Sequence, residues 1–288
     1  MRGLVTTSWL AEHLRQVSVV DASWSLPGSP FEAKVAEAFA ASRIPGARFW
    51  DQDKWSDESA SIAPHNIPTK PQFLEAARGL RPPVVVYDQF GIFSSPKLWF
   101  TLRYYGVAAA VLDGGLPAWV AAGYDLEYGP PTPPGSEVLA ASVQGKQWRL
   151  GDVRGWLDDR REKKLVDARS KQRFDGAVPD PRGLRSGHIP GSLNLPFTDL
   201  LDPVPNPENL PGGRWRGAKL KSDEALCDLF SNIGVSRGDP VAVTCGSGMT
   251  AGHIALALHR IGTDDIALYD GSWTEYAQTE DLPVSTTP

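Results

Sequence analysis

The sequence predicts an α/β protein built from two tandem copies of one domain, each with a mainly parallel β-sheet covered by helices. Three observations support this fold class: four segments recur in the same order in both halves of the chain, short β-branched runs alternate with amphipathic stretches, and a proline-rich segment separates the halves. The length of 288 residues suits two domains of ordinary size.

The internal repeat is visible in four pairs of segments. They are VVDASW (19–24) with LVDARS (165–170), RIPGARFW (43–50) with HIPGSLNL (188–195), VVVYD (84–88) with VAVTC (241–245), and LDGGLPAW (112–119) with YDGSWTEY (269–276). The second half carries about a dozen extra residues between Phe197 and Val241, and PNPENLPGGRWRGAKL is the expected extra loop because it is rich in proline and glycine. A repeat of this length indicates two copies of a domain and excludes a solenoid of short repeats.

Apolar runs predict the strands, and they are apolar along their length, as is typical of parallel strands covered on both faces. The predicted strands cover 17–22, 84–87, 109–112, 165–167, 241–244 and 266–269. Helical spacing of apolar residues predicts helices over 8–15, 70–79, 97–105, 223–233 and 250–261. In sheets of this class, ligands bind beyond the carboxyl ends of the strands.

The segment YGPPTPPGSE (128–137) marks the boundary between the copies. It has four prolines and two glycines, so it can form neither a helix nor a central strand. We therefore predict an N-terminal domain over 1–130, a linker over 131–147 and a C-terminal domain over 148–288.

Composition excludes several classes of protein. The net charge of −5 argues against a nucleic-acid partner, and no apolar run approaches the length that spans a bilayer. Two cysteines exclude a disulfide scaffold and a Cys₄ metal site. The first residues, MRGLVTTSWLAEHL, lack the long apolar stretch of a signal peptide, and we expect a protein of the reducing cytoplasm without a membrane partner.

The segment VAVTCGSGMTAGHIALALHRIG carries the most chemistry. A buried strand is predicted to end at Thr244, Cys245 follows at once, and a glycine-rich loop then leads into a helix. Glycines at 246 and 248 let backbone N–H groups turn inward, and the helix amino terminus adds partial positive charge. Such a cradle favours an anion, either a thiolate or a group attached to the sulfur, and indicates a nucleophilic cysteine.

Two further observations narrow the chemistry that Cys245 can carry out. Cysteine phosphatases need Cys-x₅-Arg, and here the position six after Cys245 is Ala251, which argues against phosphate hydrolysis. Cys227, in DEALCDLFSNIG, lies in a predicted helix with no such loop and is interpreted as structural. His188 is also interpreted as structural, and His253 and His259 as helix packing or surface residues.

The motifs CGSGMTA, SGHIPGSLNLPFTDLL and RFDGAVPDPRG, the paired VVDA and LVDA segments and the closing YDGSW resemble the two-domain rhodanese family over essentially the whole chain. The resemblance implies two rhodanese-like domains, each with a mainly parallel five-stranded sheet covered by helices on both faces. The loop CGSG is similar to the 3-mercaptopyruvate sulfurtransferase branch, whereas the thiosulfate branch typically has Cys-Arg-Lys-Gly. Met249 departs from the valine usual in that branch, and both side chains are apolar.

Charge supports the same branch. Thiosulfate is a dianion that two loop cations would suit, and Gly246 and Ser247 supply none. The implied reaction moves sulfane sulfur from 3-mercaptopyruvate through a Cys245 persulfide to a thiol, thioredoxin or cyanide, with release of pyruvate and with no cofactor. Two alternatives stay open: a thiosulfate:cyanide sulfurtransferase, and a non-catalytic module that presents the persulfide to a partner.

The resemblance also implies the substrate-binding residues. Arg173 and Arg182 match the family's substrate-binding arginines, and both follow the predicted strand that ends at Asp167. From the residues alone, Arg169 and Arg185 are equal candidates. The loop residues expected to contact substrate are Gly246, Gly248, Met249 and Thr250.

A relay of Ser247, His65 and Asp53 is implied by the same resemblance. The spacing between Asp53 and His65 is one residue longer than usual, so Asp51 and Asp57 remain rivals for the carboxylate. Asp88 stands in the first copy where Cys245 stands in the second, and a carboxylate cannot carry sulfane sulfur. The first copy is therefore predicted to be catalytically silent.

Overall fold

A computed structural model describes residues 2–25, 34–131, 135–159, 163–204 and 217–287. Residues 205–216 of the expected extra loop and 132–134 of the predicted linker lie outside the described residues. The chain forms two compact units: unit 1 comprises Met1–Trp55, Pro68–Gln144 and Leu201–Leu220, and unit 2 comprises Ser56–Ile67, Gly145–Leu200 and Lys221–Pro288. Each unit thus includes a short segment from the other half of the sequence. The predicted domain and linker bounds stay a prediction.

The strands and helices follow each other in the expected alternation. The strands are β1 (Leu4–Val5), β2 (Ser18–Asp21), β3 (Ser42–Arg43), β4 (Arg48–Phe49), β5 (Val84–Tyr87), β6 (Ala109–Leu112), β7 (Glu127–Tyr128), β8 (Lys146–Trp148), β9 (Lys164–Asp167), β10 (Leu193–Asn194), β11 (Leu201–Pro203), β12 (Ala218–Leu220), β13 (Val241–Thr244) and β14 (Ile266–Tyr269). The helices are α1 (Thr7–His13), α2 (Val35–Ala41), α3 (Lys70–Ala76), α4 (Ser95–Tyr104), α5 (Gly115–Ala121), α6 (Leu150–Asp158), α7 (Lys171–Asp175), α8 (Asp223–Asn232), α9 (Ala251–Arg260) and α10 (Ser272–Gln278).

Each unit contains a five-stranded sheet in which every pairing is parallel. The order is β1-β6-β5-β2-β4 in unit 1 and β10-β9-β13-β14-β8 in unit 2, so the second order read backwards matches the first strand for strand. The two short pairs β3–β7 and β11–β12 are antiparallel. The predicted fold class, two α/β copies with parallel five-stranded sheets flanked by helices, is confirmed.

The six predicted strands are the long central ones, and all of them are present. The strands β5, β6, β13 and β14 are buried at every residue, which explains their uninterrupted apolar sequence. The outer strands of both sheets escaped prediction because they are only two or three residues long. Helix ends differ by one to three residues from the pattern; α3, for example, stops at Ala76, and Gly79 adopts a left-handed φ of 74° soon after it.

Each sheet has its own hydrophobic core. In unit 1 the strand residues Val19, Val85 and Ala110 pack with Leu10 of α1 and Trp119 of α5. In unit 2 the strand residues Leu165, Ala242 and Ala267 pack with side chains of α6 and α10, including Trp156 and Trp273. The cores hold the carboxyl ends of the central strands in place, where the candidate site lies.

Equivalent buried aspartates end β2 and β9 but have different partners. In unit 2, the guanidinium of Arg169 donates to both carboxylate oxygens of Asp167, the shortest contact being 2.7 Å, and both side chains are 1% exposed. In unit 1 the arginine is replaced by Ser23, whose N–H donates to Asp21 at 2.8 Å. Burial therefore raises the pKa of Asp21 to about 6 from its ordinary value of 3.8, although hydrogen bonds from Ser23 and Gln89 oppose the shift.

We expect Asp21→Asn to gain stability relative to the wild type as pH rises. Because Asp21 has a higher pKa in the folded protein than in the unfolded chain, protonated Asp21 favours the folded state. This contribution to the free energy of unfolding is fully present below about pH 4 and is lost as pH rises through about 6. The difference in free energy of unfolding between variant and wild type should shift by about 2–3 kcal/mol from pH 4 to pH 8 in urea titrations. The exposed Asp158→Asn is the control, and a pH-independent difference for Asp21→Asn would contradict this assignment.

Candidate active site

Cys245 lies between the end of the central strand β13 and the start of α9, as the sequence predicts. Its side chain is buried, with 1% exposed. The N–H of Cys245 donates to Ser272 Oγ at 3.3 Å, and Sγ lies 3.9 Å from the same oxygen. Ser272 takes a left-handed φ of 52°, a conformation that costs a non-glycine residue on the order of 1 kcal/mol. The serine thus holds the cysteine backbone from α10.

The loop after Cys245 turns its first carbonyls away from the sulfur, towards α10. The N–H of Trp273 donates to Cys245 O at 3.0 Å, and Thr274 donates to Gly246 O from its N–H at 3.0 Å and its hydroxyl at 2.6 Å. Within the described parts of the chain, no acceptor takes the N–H groups of residues 246–250. These groups and the amino end of α9 form a cradle for negative charge.

The corresponding loop in unit 1, which is one residue longer, wraps a side-chain carboxyl group. The Asp88 carboxylate, at the position of Cys245, accepts the N–H groups of Phe93, Ser94 and Ser95 at 2.8, 3.0 and 3.0 Å. It also accepts the Ser95 hydroxyl at 2.7 Å and the N–H of Phe90 at 3.0 Å. The unit 1 loop therefore surrounds the Asp88 side chain with N–H and hydroxyl donors, the groups that suit negative charge.

Arg173 and Arg182 converge on the cysteine loop. A Cβ built on Gly246 would lie 3.2 Å from an Nη atom of each guanidinium, so both groups flank the space that a side chain at 246 would occupy. The Asp180 carboxylate, which is buried, organises the pair: it accepts Arg173 Nη2 at 2.8 Å and the N–H of Arg182 at 2.9 Å. Glycine at 246 leaves room for both arginines.

The two cations make this corner strongly electropositive. Burial and the charge of Arg173 lower the pKa of Arg182, while Asp180 and Cys245 act in the opposite direction. Arg173 Nε is buried and has no acceptor among the described residues. The corner can therefore offer guanidinium N–H groups to a carboxylate, the geometry that arginine favours.

The other two candidate arginines are used by the fold. Arg169 pairs with Asp167 and donates to Gly187 O at 2.9 Å. Arg185 donates to four backbone carbonyls at and after the end of α10, including Ala277 O and Leu282 O at 2.8 Å. Of the four arginines that sequence reasoning left open, Arg173 and Arg182 are the two at the cysteine loop.

Ser247 and His65 meet in unit 2. The Ser247 hydroxyl lies 3.4 Å from His65 Nδ1, at the long end of hydrogen-bond distances, and Arg182 Nη2 donates to Ser247 Oγ at 3.3 Å. His65 is 3% exposed. The segment 56–67, although early in the sequence, belongs to the unit that carries Cys245.

The three candidate carboxylates occupy different surroundings. Asp53 lies in unit 1, where Trp24 Nε1 donates to both carboxylate oxygens at 2.9 and 3.1 Å. Asp51 accepts the N–H groups of Asp53 and Lys54 at 3.1 and 3.0 Å, and Asp57 accepts the N–H and hydroxyl of Ser59. A role for Asp53 in a relay stays a prediction.

The remaining residues singled out from the sequence have structural contacts. His188 stacks on Phe174 at 3.8 Å between ring centroids, and its Nδ1 lies 2.8 Å from Phe174 O. Cys227 lies half-buried within α8. His253 is buried in α9, and His259, near the end of that helix, lies 2.6 Å from Asp264. These contacts fit the structural interpretations.

Sequence reasoning missed three residues of the site: Asp180, Ser272 and Thr274. Asp180 stands two residues before Arg182, the spacing of an aspartate that accepts a nearby backbone N–H, and this signal could have found it. Ser272 and Thr274 lie in YDGSWTEY, which the internal repeat marked without revealing its contact with the cysteine loop.

The Rhodanese-like domain model matches residues 6–122 and again 151–279. The chain belongs to the rhodanese family. Among its relatives, 3-mercaptopyruvate sulfurtransferase of Escherichia coli K12 is 35% identical, with 97% of this chain and 96% of that protein covered. The Homo sapiens 3-mercaptopyruvate sulfurtransferase is 36% identical, with 98% and 95% covered. The mitochondrial thiosulfate/3-mercaptopyruvate sulfurtransferase 1 of Arabidopsis thaliana is also 36% identical, with 98% and 77% covered.

Solved structures of rhodanese-fold proteins agree with this membership. The crystal structure of SseA from Escherichia coli, described as a 3-mercaptopyruvate sulfotransferase, superposes with a TM-score of 0.80 at 34% identity, covering 94% of this chain and 98% of that one. The Tum1 protein of Saccharomyces cerevisiae superposes with a TM-score of 0.83 at 27% identity, covering 98% and 97%. The match extends over both copies of the domain.

We expect Arg182→Ala to weaken the preference of Cys245 for anionic reagents. A half-buried guanidinium beside the loop stabilises a carboxylate by about 1–2 kcal/mol, so the ratio of alkylation rates with iodoacetate and iodoacetamide should fall about 5- to 30-fold. Peptide mass spectrometry separates Cys245 from Cys227. The control is Arg260→Ala, which removes a surface arginine paired with Asp223 on unit 2. An unchanged ratio in Arg182→Ala would show that this guanidinium does not attract anions to the loop.

Proposed function

We propose that this chain is a 3-mercaptopyruvate sulfurtransferase that carries sulfane sulfur as a persulfide on Cys245. The observation that carries the proposal is the cysteine at the end of β13, in a backbone cradle whose counterpart in unit 1 already wraps a carboxylate. Relatives that match nearly the whole chain bear this name. The predicted silent role of the first copy fits Asp88, which fills its cradle and offers no sulfur.

The first half-reaction is nucleophilic attack by the Cys245 thiolate on the sulfur of 3-mercaptopyruvate. A new S–S bond forms, the carbon–sulfur bond breaks, and its electron pair leaves with the carbon as the enolate of pyruvate. The proton that was on the substrate thiol moves to the enolate carbon, so the products are pyruvate and a charged Cys245 persulfide. The N–H groups of residues 246–250 stabilise the outer sulfur, which carries that charge.

The arginine pair supports the choice of donor. Arg173 and Arg182 lie against Gly246, where a carboxylate of an α-keto acid can take hydrogen bonds from both. The loop residues Gly246 and Ser247 add no further cation, which favours a substrate with a single carboxylate over the thiosulfate dianion. Gly248, Met249 and Thr250 complete the wall of the cradle.

Ser247 and His65 are proposed to move the proton. Their contact at 3.4 Å places a hydroxyl and an imidazole in reach of the loop, and histidine is the side chain best suited to exchange a proton near neutral pH. Asp53 is proposed to complete the relay by orienting the histidine.

The second half-reaction returns the enzyme to its starting state. A thiol, thioredoxin or cyanide attacks the outer sulfur, the S–S bond breaks, and the Cys245 thiolate leaves. Two successive displacements through a covalent intermediate give ping-pong kinetics. The chemistry uses only the cysteine and its surroundings and calls for no metal or organic cofactor.

The cytoplasm is the location we propose, with no membrane or nucleic-acid partner. Among the described residues, no helix has the length and apolar character to cross a bilayer. The net charge of −5 fits a small anionic substrate approached through local arginines better than a polyanionic partner.

Incubation with 3-mercaptopyruvate should add one sulfur to Cys245. The expected adduct is about 32 Da by mass spectrometry, and dithiothreitol should remove it with release of sulfide. Cys245→Ser should show neither adduct nor pyruvate production, because the hydroxyl cannot hold sulfane sulfur. Cys227→Ser is the matched control and should behave as wild type. Appreciable turnover by Cys245→Ser would end this mechanism, and a stable adduct without turnover would favour the persulfide-presenting module.

Ser247→Ala should separate the two sulfur donors. With 3-mercaptopyruvate a proton must reach the leaving enolate, whereas sulfite leaves thiosulfate without one, so we expect kcat/KM to fall about 10- to 100-fold for the first donor and less than about 3-fold for the second. Ser231→Ala, an exposed serine near the end of α8, is the control. Equal losses would argue against proton transfer through Ser247. A wild-type preference for thiosulfate would favour the thiosulfate:cyanide alternative.

A further inference from the structure

We propose that Asp270 is a positioning residue for the sulfur-transfer reaction: it anchors the segment 56–67 at the end of β14 and thereby holds His65 beside Ser247. The structure assigns Asp113 the same anchoring task in unit 1, which has no cysteine. The inference rests on the proposed function because it supplies the means by which His65 stays at the site.

Asp270 touches both the cysteine loop and the histidine segment. It follows β14 directly and is 1% exposed. Its Oδ2 accepts the N–H of Ile67 and, at 3.1 Å, Gln147 Nε2. A Cβ built on Gly248 would lie 3.0 Å from Asp270 Oδ1 and 3.3 Å from His65 O. The Asp270 carboxylate and the His65 carbonyl therefore both border the space beside Gly248.

The segment itself has no regular structure to hold it. Residues 56–67 form neither helix nor strand. Internal hydrogen bonds shape it: the Asn66 amide donates to Ala63 O at 2.6 Å, and the Ser56 hydroxyl donates to Pro64 O at 2.8 Å. These bonds fix its curvature, and the bond from Ile67 to Asp270 ties it to the sheet two residues after His65.

Unit 1 has the same kind of anchoring hydrogen bond. Asp113 follows β6, and its Oδ1 accepts the N–H of Leu220 at 3.0 Å. Leu220 ends the segment 201–220, which unit 1 takes from the second half of the sequence. A Cβ built on Gly91, in the Asp88 loop, would lie 2.3 Å from Ala218 N, so the loop and segment are in contact here too.

The two aspartates thus explain a repeated motif. Asp113 lies in LDGG and Asp270 in YDGS, at matching places in the two copies. Each accepts a hydrogen bond from a backbone N–H in a segment that comes from the other half of the sequence. The difference is chemical, because the segment in unit 2 brings a histidine to the serine of the cysteine loop. Losing the carboxylate should loosen both segments equally and affect catalysis only in unit 2.

The experiment compares Asp270→Ala with Asp113→Ala in the full chain, alone and combined with His65→Ala. Each single aspartate variant leaves a backbone N–H without its acceptor, so similar losses of thermal stability are expected.

With 3-mercaptopyruvate, Asp270→Ala should lower kcat about 10- to 100-fold with KM changed less than about twofold, the usual consequence of misplacing a reacting group by about 1 Å. Asp113→Ala should retain kcat within about twofold. Asp270→Asn, which keeps one acceptor oxygen, should recover most of the lost kcat.

The decisive measurement is whether the kcat losses caused by Asp270→Ala and His65→Ala add. In the His65→Ala background, Asp270→Ala should cause no further loss of kcat, because the group that it positions is already gone. An equal kcat loss in both aspartate variants, or full additivity with His65→Ala, would overturn the proposal. If Asp270→Ala does not fold, Asp270→Asn replaces it in the same cycle, with an expected loss of about threefold. A wild type without sulfur transfer would refute the proposed function; an active wild type unaffected by His65→Ala would refute only this inference.

Discussion

The structure of this site depends on the backbone hydrogen bonding of the loop at the carboxyl end of a central parallel strand. Cys245 O and Gly246 O accept hydrogen bonds from α10, and among the described residues no acceptor takes the N–H groups of residues 246–250. Buried N–H groups need acceptors. Such a loop therefore favours an anion on or next to the residue that precedes it, which is Asp88 in unit 1 and Cys245 in unit 2. Ser272 and Thr274 are therefore as much part of the site as the glycines of the loop itself.

The two copies of the domain put this constraint to different uses. In unit 1 the anion is the carboxylate of Asp88, and its five hydrogen bonds make the loop a rigid, self-contained turn. In unit 2 the corresponding atom is sulfur, which can accept a second sulfur and release it. The side chain at the strand end and the loop that follows it both differ between the copies, while the strand order around them stays the same.

The charges around Cys245 show why glycine follows it. The two guanidinium groups flank the space that a side chain at 246 would occupy, and Asp180 accepts the Arg173 guanidinium and the backbone N–H of Arg182. A side chain at 246 would crowd both arginines. Burial and then the charge of Arg173 lower the pKa of Arg182, and a carboxylate placed beside the two cations would act in the opposite direction. Substrate binding and the stability of the arginine pair are therefore linked.

The amino-acid sequence by itself determined the repeat, the central strands and the cysteine loop, because each rests on a local pattern: an apolar run, a glycine spacing, or a segment that recurs in the same order. It also limited the candidate substrate-binding residues to four arginines that follow one strand, and the family resemblance singled out Arg173 and Arg182. Only the tertiary structure showed that Arg169 and Arg185 bind acceptors within the fold, while Arg173 and Arg182 lie at the loop. It alone placed residues 56–67 with unit 2 and residues 201–220 with unit 1. The physical reason is that these outcomes depend on hydrogen bonds between residues far apart in the chain, such as Asp270 with Ile67, which leave no periodic signal in either segment.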